Sequence, residues 1–345
     1  MSAYFLPRRH SSLAPSLRRA ALLLLLPGAI LAAGCGTQAQ NTLKVQENLN
    51  ESLRHAEVDV KDTEARKWAD QAIAVAPSNP ATYFGPPSPD PNALLPQLSV
   101  AAVFSATGDT PAVADYMTQA IQKFPNDERG YGLLSDAQNK LGQAAAQKAT
   151  ALKLVALLNA KLKAPGATDI QALTDALGQA YFDAGDTVNG TATYKKAIQA
   201  YPTEPDAMNG LAYANAVRGI ALTEALPLAR QAVALAQKKP DNDDVVAGYQ
   251  DTLAWVLYQQ GSYAEAEQIE LQAANALPRL AEIRYHLGLI YVAEGKIEAA
   301  RAELDHAVLL SQGYVAAQQA LDSLPKPASL PKPASLPNAA AAKSP

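Results

Sequence analysis

A repeat period of 34 residues constrains this chain more than any other feature. Leu253, Ala254, Leu257, Gly261, Ala266 and Ala273 return as Leu287, Gly288, Tyr291, Gly295, Ala300 and Ala307, each displaced by the same 34 residues. Self-similarity at a fixed period of this length marks a solenoid of stacked units. Within one unit the residues at i, i+1 and i+4 form a single apolar stripe on a first helix. Ala266 and Ala273 lie two turns apart on a second helix and let the two backbones approach. Gly261 and Gly295 fall between the helices, where a tight turn needs a permissive backbone.

The Leu-Gly/Ala-x-x-Tyr segment, the turn glycine, the two small residues of the second helix and the closing Pro278 resemble the tetratricopeptide repeat (TPR). That resemblance implies an all-α fold, an α-solenoid coiled as a right-handed superhelix of about seven TPR-like hairpins. The composition agrees, with 48% apolar residues but only 6% aromatic ones, many alanines and few β-branched side chains.

Taken in order, residues 43–77 read as a degenerate N-terminal hairpin, with Leu49, Leu53 and Ala56 on one helix and Ala65, Ala69 and Ala72 on the next. A proline-rich insertion follows at 78–93, where Pro80, Pro86, Pro87, Pro89 and Pro91 remove backbone donors and exclude helix as far as Asn92. The array occupies 94–323. Its copies are marked by Phe104 and Gly108, by Leu134 and Gly142, by Leu177, Gly178, Tyr181 and Gly185, and by Leu211, Ala212 and Gly219. The fifth hairpin carries one inserted residue after its turn, and 315–324 is expected to cap the end. The tail, 324–345, repeats Leu-Pro-Lys-Pro-Ala-Ser and reads as a disordered, extended spacer with polyproline character.

The first residues are an export signal. Arg8, Arg9, Arg18 and Arg19 precede an apolar stretch at 20–33, which Pro27-Gly28 interrupts and which is too short to span a bilayer. It ends in Leu31-Ala32-Ala33-Gly34-Cys35, which resembles the lipobox of bacterial lipoproteins, although leucine stands four residues before the cysteine where three is usual. The likeness implies removal of 1–34, lipidation of Cys35, a lipid-proximal tether at 35–42 and, with Gly36 next, the outer membrane facing the periplasm. A plain secretory signal cut near Ala33 is the alternative. Loss of four arginines and no acids takes the net charge from −4 to −8, a poor balance for binding nucleic acid.

Parts for catalysis are missing from the sequence. It holds one cysteine, no Gly-rich phosphate loop and no His-Glu-x-x-His, and His286 and His306 share a hairpin with no third ligand at usable spacing. No enzyme, cofactor or metal is therefore expected. The TPR resemblance instead implies a concave face, and places on it Asn139, Lys140, Asp175, Gln179, Phe182, Asp183, Asn209, Tyr213, Asp251, Trp255, Tyr258, Gln259, Glu282, Tyr285 and Leu289. Aromatic anchors among carboxylates suit a neutral or basic polypeptide. The expected function is a membrane-tethered scaffold or adaptor that binds a protein or peptide in that groove within the bacterial cell envelope. The alternative is a periplasmic carrier that shields exported chains.

Overall fold

The computed structural model describes residues 37–58, 63–85, 99–240 and 242–325. The stretch expected to be an export signal, with Cys35, most of the proline-rich insertion and residues 326–345 of the tail lie outside the described residues. Among those described, all regular structure is helical: sixteen helices, none long and apolar enough to cross a membrane.

Fourteen of them pair as seven antiparallel hairpins. These are α1 (Thr37–Val58) with α2 (Thr63–Val75), then, after a one-turn α3 (Pro80–Phe84), α4 (Val100–Thr107) with α5 (Thr110–Lys123) and α6 (Glu128–Lys140) with α7 (Ala144–Lys163). The series continues with α8 (Ile170–Asp183) and α9 (Thr187–Ala200), α10 (Asp206–Arg218) and α11 (Leu222–Ala236), α12 (Asp243–Gln259) and α13 (Tyr263–Ala276), and α14 (Ala281–Ala293) and α15 (Ile297–Leu310). A last helix, α16 (Val315–Ser323), lies on the seventh hairpin. The fold is an α-solenoid.

Two local expectations need correction. Helix α1 begins at Thr37, inside the stretch expected to be a tether, because 37–42 holds no glycine or proline to stop it. Helix α3 lies where the prolines were expected to exclude helix. Pro80 occupies its first turn, where a missing N–H costs nothing, and the Asn79 side chain caps it by accepting from the Ala81 N–H at 3.0 Å.

Stacking depends on small residues. On the first helices, a Cβ added at Gly288 would lie 2.7 Å from Leu304, and one at Gly210 2.6 Å from the Tyr194 ring and hydroxyl. Tyr194, almost wholly buried, also fills the space above Gly178, so one ring joins the fourth hairpin to the fifth. The residue inserted after the fifth turn, Ala221, takes a positive φ of 46°, which an alanine rarely adopts. Helix α7 runs for 20 residues against 14 for α9, as its uninterrupted alanine-leucine run predicts.

The array also closes on itself. The turn before α5 meets the turn after α15: the Gln312 N–H donates to the Gly108 carbonyl at 2.8 Å, and the Thr110 and Ser311 hydroxyls are 2.9 Å apart. Next to this, Gly313 packs on Leu141, and Gly142 on Val315. The second and third hairpins therefore touch the seventh, and the face enclosed by the first helices is narrow.

Because Gly210 has no room for a methyl group, Gly210→Ala is expected to cost about 1–3 kcal/mol, the usual range for overpacking. Urea unfolding followed by circular dichroism measures it, and an unchanged midpoint contradicts the packing described.

Candidate functional site

The enclosed face is built from α6, α8, α10, α12 and α14, and its polar side chains engage one another across the interior. Tyr213 on α10 donates its hydroxyl proton to Glu282 Oε1 on α14 at 2.5 Å, bridging two hairpins. Burial raises the Tyr213 pKa well above the ordinary phenol value, and the Glu282 carboxylate raises it further, so the tyrosine remains a donor. Lys140 pairs with Asp136 at 2.9 Å. Burial acts to lower its pKa, but Asp136 and Glu282 outweigh that and hold the ammonium above the usual lysine value. On α8, Asp183 accepts from Gln179 at 2.8 Å and from Ser135 of α6 at 3.1 Å.

The residues expected on the concave face consequently divide. Asn139 is exposed, and Lys140, Asp175, Asp183, Tyr213, Tyr258, Gln259, Tyr285 and Leu289 are half-buried. Phe182, Gln179, Asn209, Asp251, Trp255 and Glu282 are buried and are not an open groove surface. For Phe182 the reason is helical phase. It lies one turn after Gly178 and so shares the side that faces α9, where it stacks on Tyr194 at 6.1 Å and would touch any Cβ on Gly190. Gln179 lies beside Tyr194, whose hydroxyl is 3.3 Å from its Oε1. Asp251, Trp255 and Tyr258 form one stripe turned toward α14: Trp255 stacks on His286 at 4.2 Å and on Tyr258 at 4.7 Å. Trp255 is thus packed between hairpins. Glu282 is covered by Tyr213 and stands close to Lys140.

An open cleft lies elsewhere, along the edge where the loops between hairpins meet the starts of the first helices. It has a volume of about 1450 Å³ and runs past the 124–127 and 164–169 loops to Tyr194, Tyr201, Asp206, Asn209 and Tyr249. Of the expected residues, Asp175 and Asn209 line it. Two of its cations are held by its own carboxylates, Arg129 by Asp127 at 2.6 Å and Lys161 by Glu128, and the third, Lys123, donates to the Tyr83 hydroxyl at 3.0 Å. Tyr249 donates to Asp206. Asn209 Oδ1 is buried and accepts no hydrogen bond, although the residue lines the cleft. Tyr201 and Tyr249 were not anticipated. Tyr201 follows α9 immediately before Pro202, just as Phe124 follows α5 before Pro125, and this aromatic-proline pair at a hairpin's end was the available signal.

A second unanticipated feature is a buried polar cluster. His286 Nδ1 lies 2.7 Å from Asp251 Oδ1, and Glu270 on α13 completes a group of three whose ligand-type atoms lie within 4.8 Å of one another. The sequence paired His286 with His306; the structure instead brings residues 251, 270 and 286 together from three consecutive helices, while His306 is exposed. Glu270 occupies the buried stripe of α13 between Ala266 and Ala273, where the seventh hairpin has Leu304. Burial pushes the Glu270 carboxyl well above its ordinary value, and the neighbouring Asp251 adds to the shift.

The sequence profile of the tetratricopeptide repeat matches residues 281–314, the α14–α15 hairpin and the turn after it. No curated protein sequence matches the chain. Among solved structures, the chain is similar to yeast Tom70, at 15% identity and a TM-score of 0.49, over 89% of this chain and 58% of that one. It is also similar to a chain of the APC/C hetero-tetramer Cut9-Hcn1, at 12% identity and a TM-score of 0.43, over 90% and 59%. YrrB, a TPR protein with an unusual peptide-binding site, aligns at 19% identity and a TM-score of 0.36, over 61% of this chain and 99% of that one. The chain thus spans under two thirds of the first two.

The raised carboxyl of Glu270 has a signed consequence in chelator-treated protein. The folded state retains the proton that the unfolded chain releases in the usual carboxylate range, so Glu270 costs progressively more stability as pH rises above that range. Glu270→Gln is expected to unfold at a higher urea midpoint than the parent, by a margin that widens as pH rises. A margin that is constant with pH contradicts a neutral Glu270.

Proposed function

We propose that this chain is a polypeptide-binding scaffold, held at a bacterial membrane by lipid on Cys35, whose partner is seated in the open cleft that runs from the end of the second hairpin to the start of the sixth. The observation that carries the reading is the cleft itself, which at about 1450 Å³ is large enough for several residues of extended chain. Tyr201 and Tyr249 supply broad apolar faces on its wall.

The concave face, the seat expected from the sequence, is less suitable. Tyr213 and Glu282 join across it, and the contact between the 108–111 and 311–314 turns restricts entry. The cleft also sets the partner's character. Its acids, Asp127, Glu128, Asp169, Asp175 and Asp206, outnumber its three cations, Lys123, Arg129 and Lys161, and the last two are already paired, so a neutral or basic segment fits best and nucleic acid does not. The role read here is binding, since the lining is made of loop backbone, carboxylates and phenols. Anchoring through Cys35 places such a scaffold in the envelope, on the outer membrane if Gly36 permits sorting there.

Two measurements test this. A photo-crosslinking residue at Tyr201 or Tyr249 in cells is expected to capture one discrete protein, whereas the same residue at exposed Val188 captures none. A smear of many exported chains favours the carrier reading, and identical results at all three positions contradict a cleft site. Cys35→Ala is expected to shift the protein from the membrane fraction to the soluble fraction and to abolish labelling by a fatty-acid precursor; unchanged membrane association contradicts the anchor.

A further inference from the structure

The three side chains between the sixth and seventh hairpins are more than a packing detail. Asp251, Glu270 and His286 are 0%, 0% and 3% exposed and arrive from three different helices, α12, α13 and α14. One hydrogen bond, from His286 to Asp251 Oδ1, is formed within the group. Asp251 Oδ2 and both Glu270 oxygens accept no hydrogen bond from any N–H or O–H of the described residues. Two carboxylates and one imidazole are thus turned on a common point, with three acceptor oxygens lacking donors.

We propose that Asp251, Glu270 and His286 form a binding site for a divalent first-row cation of the zinc class, which ties the sixth hairpin to the seventh. An imidazole nitrogen with two carboxylate oxygens is a ligand set that such ions accept. Ligand atoms at most 4.8 Å apart need only small side-chain rotations to reach a shared ion at about 2.0–2.2 Å. Two positive charges balance the two carboxylates, which burial otherwise makes costly to ionise. Binding takes the proton from Glu270 and frees His286 Nδ1 from its contact with Asp251, so protons leave as the ion enters and affinity rises with pH. With all three residues buried, the role is structural.

The site has a built-in reporter. Trp255 stacks on His286 with ring centres 4.2 Å apart, and the only other tryptophan is Trp68. In the full chain, untagged and carrying Trp68→Phe, titration with Co²⁺ is expected to quench the Trp255 emission saturably at one ion per chain, with Zn²⁺ competing. Glu270→Gln keeps the shape of the side chain and removes a charged ligand. It is expected to weaken Co²⁺ at least about tenfold, since loss of a mere supporting partner of a metal ligand already costs that much. Circular dichroism of the same sample verifies that the helices are intact. Absence of saturable quenching up to about millimolar Co²⁺, with proton release also absent, means that the Glu270 proton is the sole occupant and overturns the proposal. Quenching of equal affinity in Glu270→Gln places the ion elsewhere and overturns it as well.

Discussion

The contact between the first and last turns of the array governs what the rest of the solenoid can do. Gly108 makes it possible: its φ is +82°, and the position a Cβ would take lies 2.1 Å from the Leu310 carbonyl oxygen. Only a glycine fits so close to another backbone at that φ. With the turns joined by the Gln312 N–H and the Thr110–Ser311 hydroxyls, the second hairpin is tied to the seventh. The face that would be an open channel in an unclosed superhelix becomes an interior. Part of its polar lining pairs internally, through Tyr213–Glu282, Ser135–Asp183 and Gln179–Asp183, while Asn209 Oδ1 and Trp255 Nε1 are left without a partner among the described residues.

That constraint moves recognition outward. Loops between hairpins have variable length and are not bound by the small-residue rules that hold the helices together, so a cleft can form where the 164–169 loop stands off from α10. The longer α7 is the cause in sequence, because its extra turns carry that loop away from its neighbours. The same logic accounts for the buried cluster. Where α13 is expected to bury a leucine, as α15 does at 304, it buries Glu270, and the structure answers with Asp251 on one side and His286 on the other.

Much of this was legible in the residues. The period of 34 located the turn glycines and the alanine pairs, and the seven hairpins lie where those marks stand. Periodicity describes neighbours within and between adjacent repeats. It carries no information on contacts 69 residues apart, as for Tyr213 and Glu282, or 201 apart, as for Thr110 and Ser311. The groove residues were placed on the assumption that the inner face stays open, which is why Asp251, Trp255 and Glu282 were read as surface. Phe182 was a different error, since its position one turn after Gly178 already put it toward α9. Pro80 was read as a breaker because a proline's place relative to a helix start is not visible until the cap, here Asn79, is recognised.

Closure of the array is the claim on which the position of the binding site depends, and it is directly measurable. In a Cys35→Ser background, cysteines replacing Thr110 and Ser311 place their sulfurs where the native hydroxyls lie 2.9 Å apart. The account predicts that this pair oxidises in air to an intramolecular disulfide, seen as a monomer of increased mobility on a non-reducing gel, with helix content unchanged. A pair that remains reduced, or that links only separate molecules, contradicts a closed array and returns the inner face to the surface.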